Sequence, residues 1–108
     1  MTDKLVVLAT ASSAEEAHQI ARHLIEQRLA ACVNILPGVQ SVYRWQGAIE
    51  QSSETMLVIK SSRSLFDSLV EAIKSVHSYE VPEVIALDRK STRLNSSHPR
   101  LSRMPSSA

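Results

Sequence analysis

His77 and Cys32 carry the donor atoms best suited to a borderline or soft metal ion such as copper or zinc, an imidazole nitrogen and a thiolate. His18 and His23 stand behind them as weaker candidates. The spacing argues against a ready-made local site. Cys32 is the only cysteine, so no C-x-x-C pair exists. His18 and His23 are five apart on a helical stretch, off the i, i+4 spacing that would put two rings on one face. A lone cysteine in a strand is more often a small packed hydrophobe than a ligand. A loop histidine beside Tyr79 and Glu80 has hydrogen bonds to make without any metal. A metal site in this chain therefore needs donors gathered from distant segments or shared between copies.

A second chemistry, recognition, is carried by Tyr43-Arg44-Trp45, since tyrosine, tryptophan and arginine are the side chains that anchor interfaces. Glu80 and Glu83, in the loop with Tyr79 and Pro82, read by themselves as solvated loop charges. No cysteine–histidine or serine–histidine–acid spacing singles out a nucleophile, so no enzymatic activity is expected. No motif calls for a resident cofactor.

The elements that must position these residues read clearly from periodicity. Residues 5–10 form a short, nearly continuous apolar run with β-branched members, suited to a central strand covered on both faces. Ser13-Ala14-Glu15-Glu16 has capping-box spacing and opens a helix whose buried face is Ala17, Ile20, Ala21, Leu24 and Ile25, ending near Arg28. From Ala31 to Ile35 the period falls to two, a strand that Pro37-Gly38 should bend or bulge. Val39, Ser41, Tyr43 and Trp45 then alternate with polar neighbours up to a tight turn at Gln46-Gly47. The returning strand runs from Ile49 through a polar stretch to Met56-Leu57-Val58-Ile59. Ser64 is placed to cap a second helix with Phe66, Leu69, Val70 and Ile73 inward, and residues 84–87 form a last short strand.

This β-α-β-β-α-β order, with right-handed crossovers, predicts an α+β ferredoxin-like sandwich: an antiparallel four-stranded sheet with two helices on one face and a long central hairpin. The hairpin carries more length than so small a sheet covers, and isolated two-stranded hairpins are marginal in water. A second copy of the molecule is its expected partner.

A length of 108 residues allows one domain, and 44% apolar with 21% charged residues is a globular composition. No apolar run reaches membrane-spanning length and the N-terminus lacks a signal-peptide pattern, so the cytoplasm is the expected address and no membrane partner is foreseen. The overall charge of +1 conceals two opposed parts. Residues 1–87 hold seven basic side chains against ten acidic, a net of −3. Residues 88–108 hold five against one, a net of +4. The acidic part would repel phosphate, which argues against a nucleic-acid partner. The basic part is rich in serine and arginine without apolar periodicity, the composition of a disordered tail. Residues 88–98 resemble the translation of a commonly used sequencing-library adapter, which makes 88–108 a foreign or disordered tail on a domain of residues 1–87.

Three segments carry a family resemblance: Ala30-Ala31-Cys32-Val33-Asn34-Ile35-Leu36-Pro37-Gly38-Val39, Ser41-Val42-Tyr43-Arg44-Trp45-Gln46-Gly47, and His77-Ser78-Tyr79-Glu80-Val81-Pro82-Glu83. In order and spacing they resemble the signature segments of the CutA divalent-cation tolerance family, across residues 5–87. The resemblance implies a PII-like fold, homotrimers built by long strands that pair between neighbours, and a link to copper and other divalent-metal tolerance with no established reaction. It places Tyr43, Arg44 and Trp45 at the trimer interface and the Tyr79, Glu80, Pro82 and Glu83 loop at clefts between subunits. The implied partners are the chain itself and a divalent metal ion. Two departures stand out. The family continues after Leu87 with further strand residues and a C-terminal helix. Its proposed copper ligands, a cysteine in the first strand and a histidine pair after the second helix, correspond here to Ala9 and to Val76 and His77, so only His77 remains.

Rival readings of the same topology lack their essential residues. An acylphosphatase-like enzyme needs a glycine- and arginine-bearing anion loop after the first strand, where this chain has Thr10-Ala11-Ser12-Ser13. An RNA-binding module stacks bases on sheet aromatics, and residues 5–10 and 56–60 contain none. A trimer that senses a small molecule without a metal role is the alternative that stays open.

Overall fold

The computed structural model describes residues 3–77, 83–88 and 100–101. Its elements are β1 (Lys4–Ala11), α1 (Ala14–Glu26), β2 (Cys32–Trp45), β3 (Ala48–Ser62), α2 (Phe66–Val76), β4 (Val84–Asp88) and β5 (Arg100–Leu101). The sheet order is β2-β3-β1-β4-β5 and every pairing is antiparallel. The four expected strands are present in ferredoxin-like order. Two differences follow at the end of the chain: β4 extends one residue beyond Leu87, and the two-residue β5 lies along its outer edge.

Alternation along β1 and β3 builds one core. Leu5, Val7, Ala9 and Ala11 of β1, Leu57 and Ile59 of β3, and Val84 and Ala86 of β4 meet Ala17, Ile20 and Leu24 of α1 and Phe66, Leu69 and Ile73 of α2 in a single buried cluster. Both helices therefore cover the same face. Burying a Leu or Ile side chain of this kind contributes roughly 1.5–3 kcal/mol. The expectation that β1 is covered on both faces is corrected here. Its other face, with Val6 and Leu8, is only half-buried, as are Met56, Val58 and Ile85 beside them, because both helices lie on one side. Leu36 and Leu87 are exposed.

Local signals at the helix ends hold with small changes. The Ser13 hydroxyl accepts the Glu16 backbone N–H at 3.1 Å and opens α1 as a cap should. Glu16 does not return to the cap residue as a capping box would; its Oε1 accepts from the Ser12 backbone N–H at 2.9 Å and the Ser12 hydroxyl at 2.8 Å. Helix α1 closes by a paired bond pattern, Leu29 N–H to Leu24 O and Arg28 N–H to Ile25 O. Ser64 caps nothing: Arg63–Leu65 form a single 3-10 turn that runs directly into α2.

The hairpin is where length and register matter. Strand β2 pairs with β3 along its whole run, with one irregularity between Leu36 and Val39. Leu36 faces Met56 and Val39 faces Glu54, so β2 holds one residue more than β3 at this point: the bulge expected at Pro37-Gly38, with Gly38 at φ +76°. The turn uses Gln46 and Gly47 at φ +50° and +81°, the pair of left-handed residues that a tight hairpin needs. Strand β1 pairs only with Thr55–Ser62 of β3. Beyond Thr55 the hairpin continues as a two-stranded arm with no third strand beside it among the described residues.

Candidate functional site

His77 closes α2 and brings three elements together. Its ring has no exposed side-chain surface. Nε2 lies 2.7 Å from the Thr10 carbonyl oxygen at the end of β1. A carbonyl only accepts, so Nε2 carries the proton and donates. Nδ1 faces Glu16 Oε2 at 3.7 Å, and Glu16 itself is buried in the first turn of α1. The result is a tie among β1, α1 and α2 in which the buried Glu16 joins the exposed Ser12 at the surface to His77 within the fold. The Ser12 hydroxyl gives its hydrogen to the carboxylate rather than to the imidazole. The base thus does not hold the hydroxyl, and the arrangement does not activate Ser12 as a triad would.

The two metal candidates do not meet. Cys32 begins β2 opposite Lys60, which in turn faces Val6 of β1, whereas His77 binds at Thr10, four residues further along the same strand. At a rise of about 3.3 Å per residue the strand positions that carry the two donors are roughly 13 Å apart along the sheet. Among the described residues no group of three His, Cys, Asp or Glu side chains converges to hold a metal ion. His77 also has one ring nitrogen already spent on Thr10, so the described residues of a single chain do not make a closed copper or zinc site. The expectation that Cys32 is packed is corrected: it is exposed, because it starts an edge strand. His18 is exposed on α1 and His23 half-buried.

On the arm, Tyr43 and Trp45 are half-buried and Arg44 is exposed. The pairing sets Tyr43 opposite Glu50 and Trp45 opposite Ala48, on the sheet face away from the helices. The most exposed large apolar side chains of the described chain are on the opposite side of the arm. They are Val42 at 64% and Ile49 at 68% exposed, and sequence reasoning that followed the aromatics missed them. Their signal was present as two β-formers in an otherwise polar stretch. Polar side chains knit the arm: Gln51 Nε2 donates to Gln40 Oε1 and Gln40 Nε2 to Ser53 Oγ, both at 3.0 Å, and Ser41 Oγ donates to Glu54 Oε1 at 2.6 Å. Of the expected cleft loop, Tyr79, Glu80 and Pro82 lie outside the described residues, and Glu83 is half-buried just before β4.

Comparison with known proteins agrees with this geometry. The profile of the CutA1 divalent ion tolerance protein family matches residues 5–95. The divalent-cation tolerance protein CutA of Thermus thermophilus is 50% identical over 82 residues, 76% of this chain and 80% of that protein. The chloroplastic protein CutA 1 of Oryza sativa is 46% identical over 90 residues, 83% of this chain and 51% of its own length. The chain thus spans about half the length of that plant relative. Among solved structures, the Thermus thermophilus divalent cation tolerance protein superposes with a TM-score of 0.78 at 45% identity, over 86% of this chain and 88% of that one. The Archaeoglobus fulgidus protein, described as periplasmic, does so with a TM-score of 0.76 at 38% identity, over 79% and 82%. A profile match over residues 5–95, joined to a half-identical relative and a close superposition on solved members, places this chain in the CutA1 divalent ion tolerance family.

Proposed function

We propose that the chain acts as a PII-like homotrimer in divalent-metal tolerance, with copper the first ion to test, and that it does so by assembling and binding rather than by catalysis. The observation that carries the reading is the arm. Val42 and Ile49 are exposed on a hairpin that has outrun its sheet, and a neighbouring copy supplies the missing cover. The open face points the same way, since Val6, Leu8, Met56, Val58 and Ile85 are left half-buried and Leu36 and Leu87 exposed. Tyr43 and Trp45 would anchor the contact from the arm's other side, and Arg44, paired with Ile49, from the same side as Val42. No resident cofactor is needed. A metal ion would be held between subunits, with His77 or Cys32 as one donor among several, because the described residues of one chain do not assemble the set. No described helix is long and apolar enough to cross a membrane. The cytoplasm is the proposed address, although the rice relative is named chloroplastic and the Archaeoglobus one periplasmic.

Light scattering behind size exclusion, followed by copper titration of the wild type and His77→Ala, tests both parts. A mass three times the 11.9 kDa chain, with copper binding weakened by His77→Ala, is expected. A monomer that binds no copper at micromolar concentration overturns the reading. A trimer that senses a small molecule without a metal role is the second reading. It is favoured by the commitment of His77 Nε2 to Thr10, and it predicts a trimer whose copper binding is unchanged in His77→Ala.

A further inference from the structure

A groove of about 630 Å³ opens at the far end of the sheet from His77, where the C-terminal end of α1, the first residues of β1 and β2 and the last of β3 come together. Its size falls in the range of small-molecule pockets. Its walls are largely apolar: Leu5, Ile25 and Leu65 contribute, and Ile25 is left 43% exposed there. Lys4, Arg28 and Lys60 also line it, with no Asp or Glu among the described lining residues. Three cations around one apolar pocket contrast with a net of −3 over residues 1–87. Arg28 adds an independent sign. It occupies the position after α1 at φ +59°, where glycine is the usual residue because a side chain there is strained. The fold tolerates that strain and in return gains a guanidinium on the groove.

We propose that this groove binds a small carboxylate with an apolar tail, its head group held by the Arg28 guanidinium and its tail against Ile25 and Leu65. A guanidinium suits a carboxylate through two parallel N–H donors, and apolar walls without anions disfavour a cation of the same shape. The site needs nothing of the arm or of His77, but it shares Val6 with the open face and Cys32 with the candidate metal donors, so octanoate binding is measured on metal-free protein and the protein's mass is followed alongside.

Octanoate is the probe, with n-octylammonium and acetate as controls, added to the full chain. Octanoate is expected to raise the melting temperature saturably, to shift the amide resonances of residues around Arg28, Cys32 and Lys60, and to slow alkylation of Cys32, the only thiol. The two controls should do none of these at the same concentration. Arg28→Glu should weaken octanoate binding by about tenfold or more. Arg28→Gly should weaken it too while raising the melting temperature, because it removes the left-handed strain; a merely structural arginine would not separate the two readouts. Equal effects of octanoate and octylammonium, equal effects of octanoate and acetate, undiminished binding by both Arg28 variants, or no saturable response up to about 10 mM would each overturn the proposal.

Discussion

At the scale of single residues, the decisive feature is that polar side chains inside the fold satisfy one another before they can serve a ligand. His77 is the best example: its imidazole donor marked it as a ligand candidate, and its Nε2 is engaged by the Thr10 carbonyl at 2.7 Å. His77→Ala should therefore destabilise the chain by about 1–3 kcal/mol, the penalty of leaving a buried acceptor and the Glu16 carboxylate without their neighbour. Urea unfolding of the wild type and variant measures it, and an unchanged midpoint would show that the ring is idle. Glu16→Ala removes two bonds to Ser12 at the start of α1 and is expected to lower stability by roughly 1–2 kcal/mol. Because Glu16 and His77 face each other at 3.7 Å, the double variant should cost less than the sum of the singles.

Elements make their contribution through register. A strand repeats every two residues, so the extra residue in β2 moves every later side chain to the other face. Before the bulge Val33 and Ile35 face Ile59 and Leu57 over the helices; after it Tyr43 and Trp45 face Glu50 and Ala48 on the open side. Deleting Gly38 is expected to restore regular pairing while leaving Tyr43 opposite Glu50 and Trp45 opposite Ala48 on the open side, so Trp45 fluorescence should keep the wild-type emission; a shifted emission would show that the arm had changed register. Gly38→Val keeps the register but places a β-branched side chain at φ +76°. Nothing lies within 4 Å of a Cβ built there, so the expected loss of about 1–2 kcal/mol is backbone strain rather than a clash. A thermal melt that matched the wild type would show that the bulge does not need a left-handed residue.

For the molecule as a whole, the described residues make a two-layer sandwich in which the two described helices cover one face of the sheet. That asymmetry gives the arm and the open face a shared requirement for a partner. Val42→Asp with Ile49→Asp should leave the far-ultraviolet circular dichroism unchanged, since neither side chain belongs to the core cluster, while reducing the mass seen by light scattering to that of one chain. A core change behaves oppositely. Leu69→Ala, at a fully buried position, should cost about 2–5 kcal/mol and broaden or lower the unfolding transition. If the double aspartate variant kept the wild-type mass, the arm would not be what joins the copies.

Most of the architecture was legible before any coordinates, for physical reasons that differ from element to element. Helical and strand periods, the Ser13 cap, the Pro37-Gly38 interruption and the Gln46-Gly47 turn are consequences of local backbone chemistry, so the sequence alone determined the element order and the hairpin. The start of α2 was misplaced because Ser64 competes with a 3-10 turn that no short-range pattern distinguishes. Tertiary structure alone decided that Cys32 and His77 lie at opposite ends of the sheet, that Val42 and Ile49 rather than the aromatics are the most exposed apolar residues of the arm, and that three cations surround one groove. Each of these depends on which strands become neighbours and how a single inserted residue shifts a register. Such facts belong to pairs of residues far apart in the chain, and no window of sequence contains them.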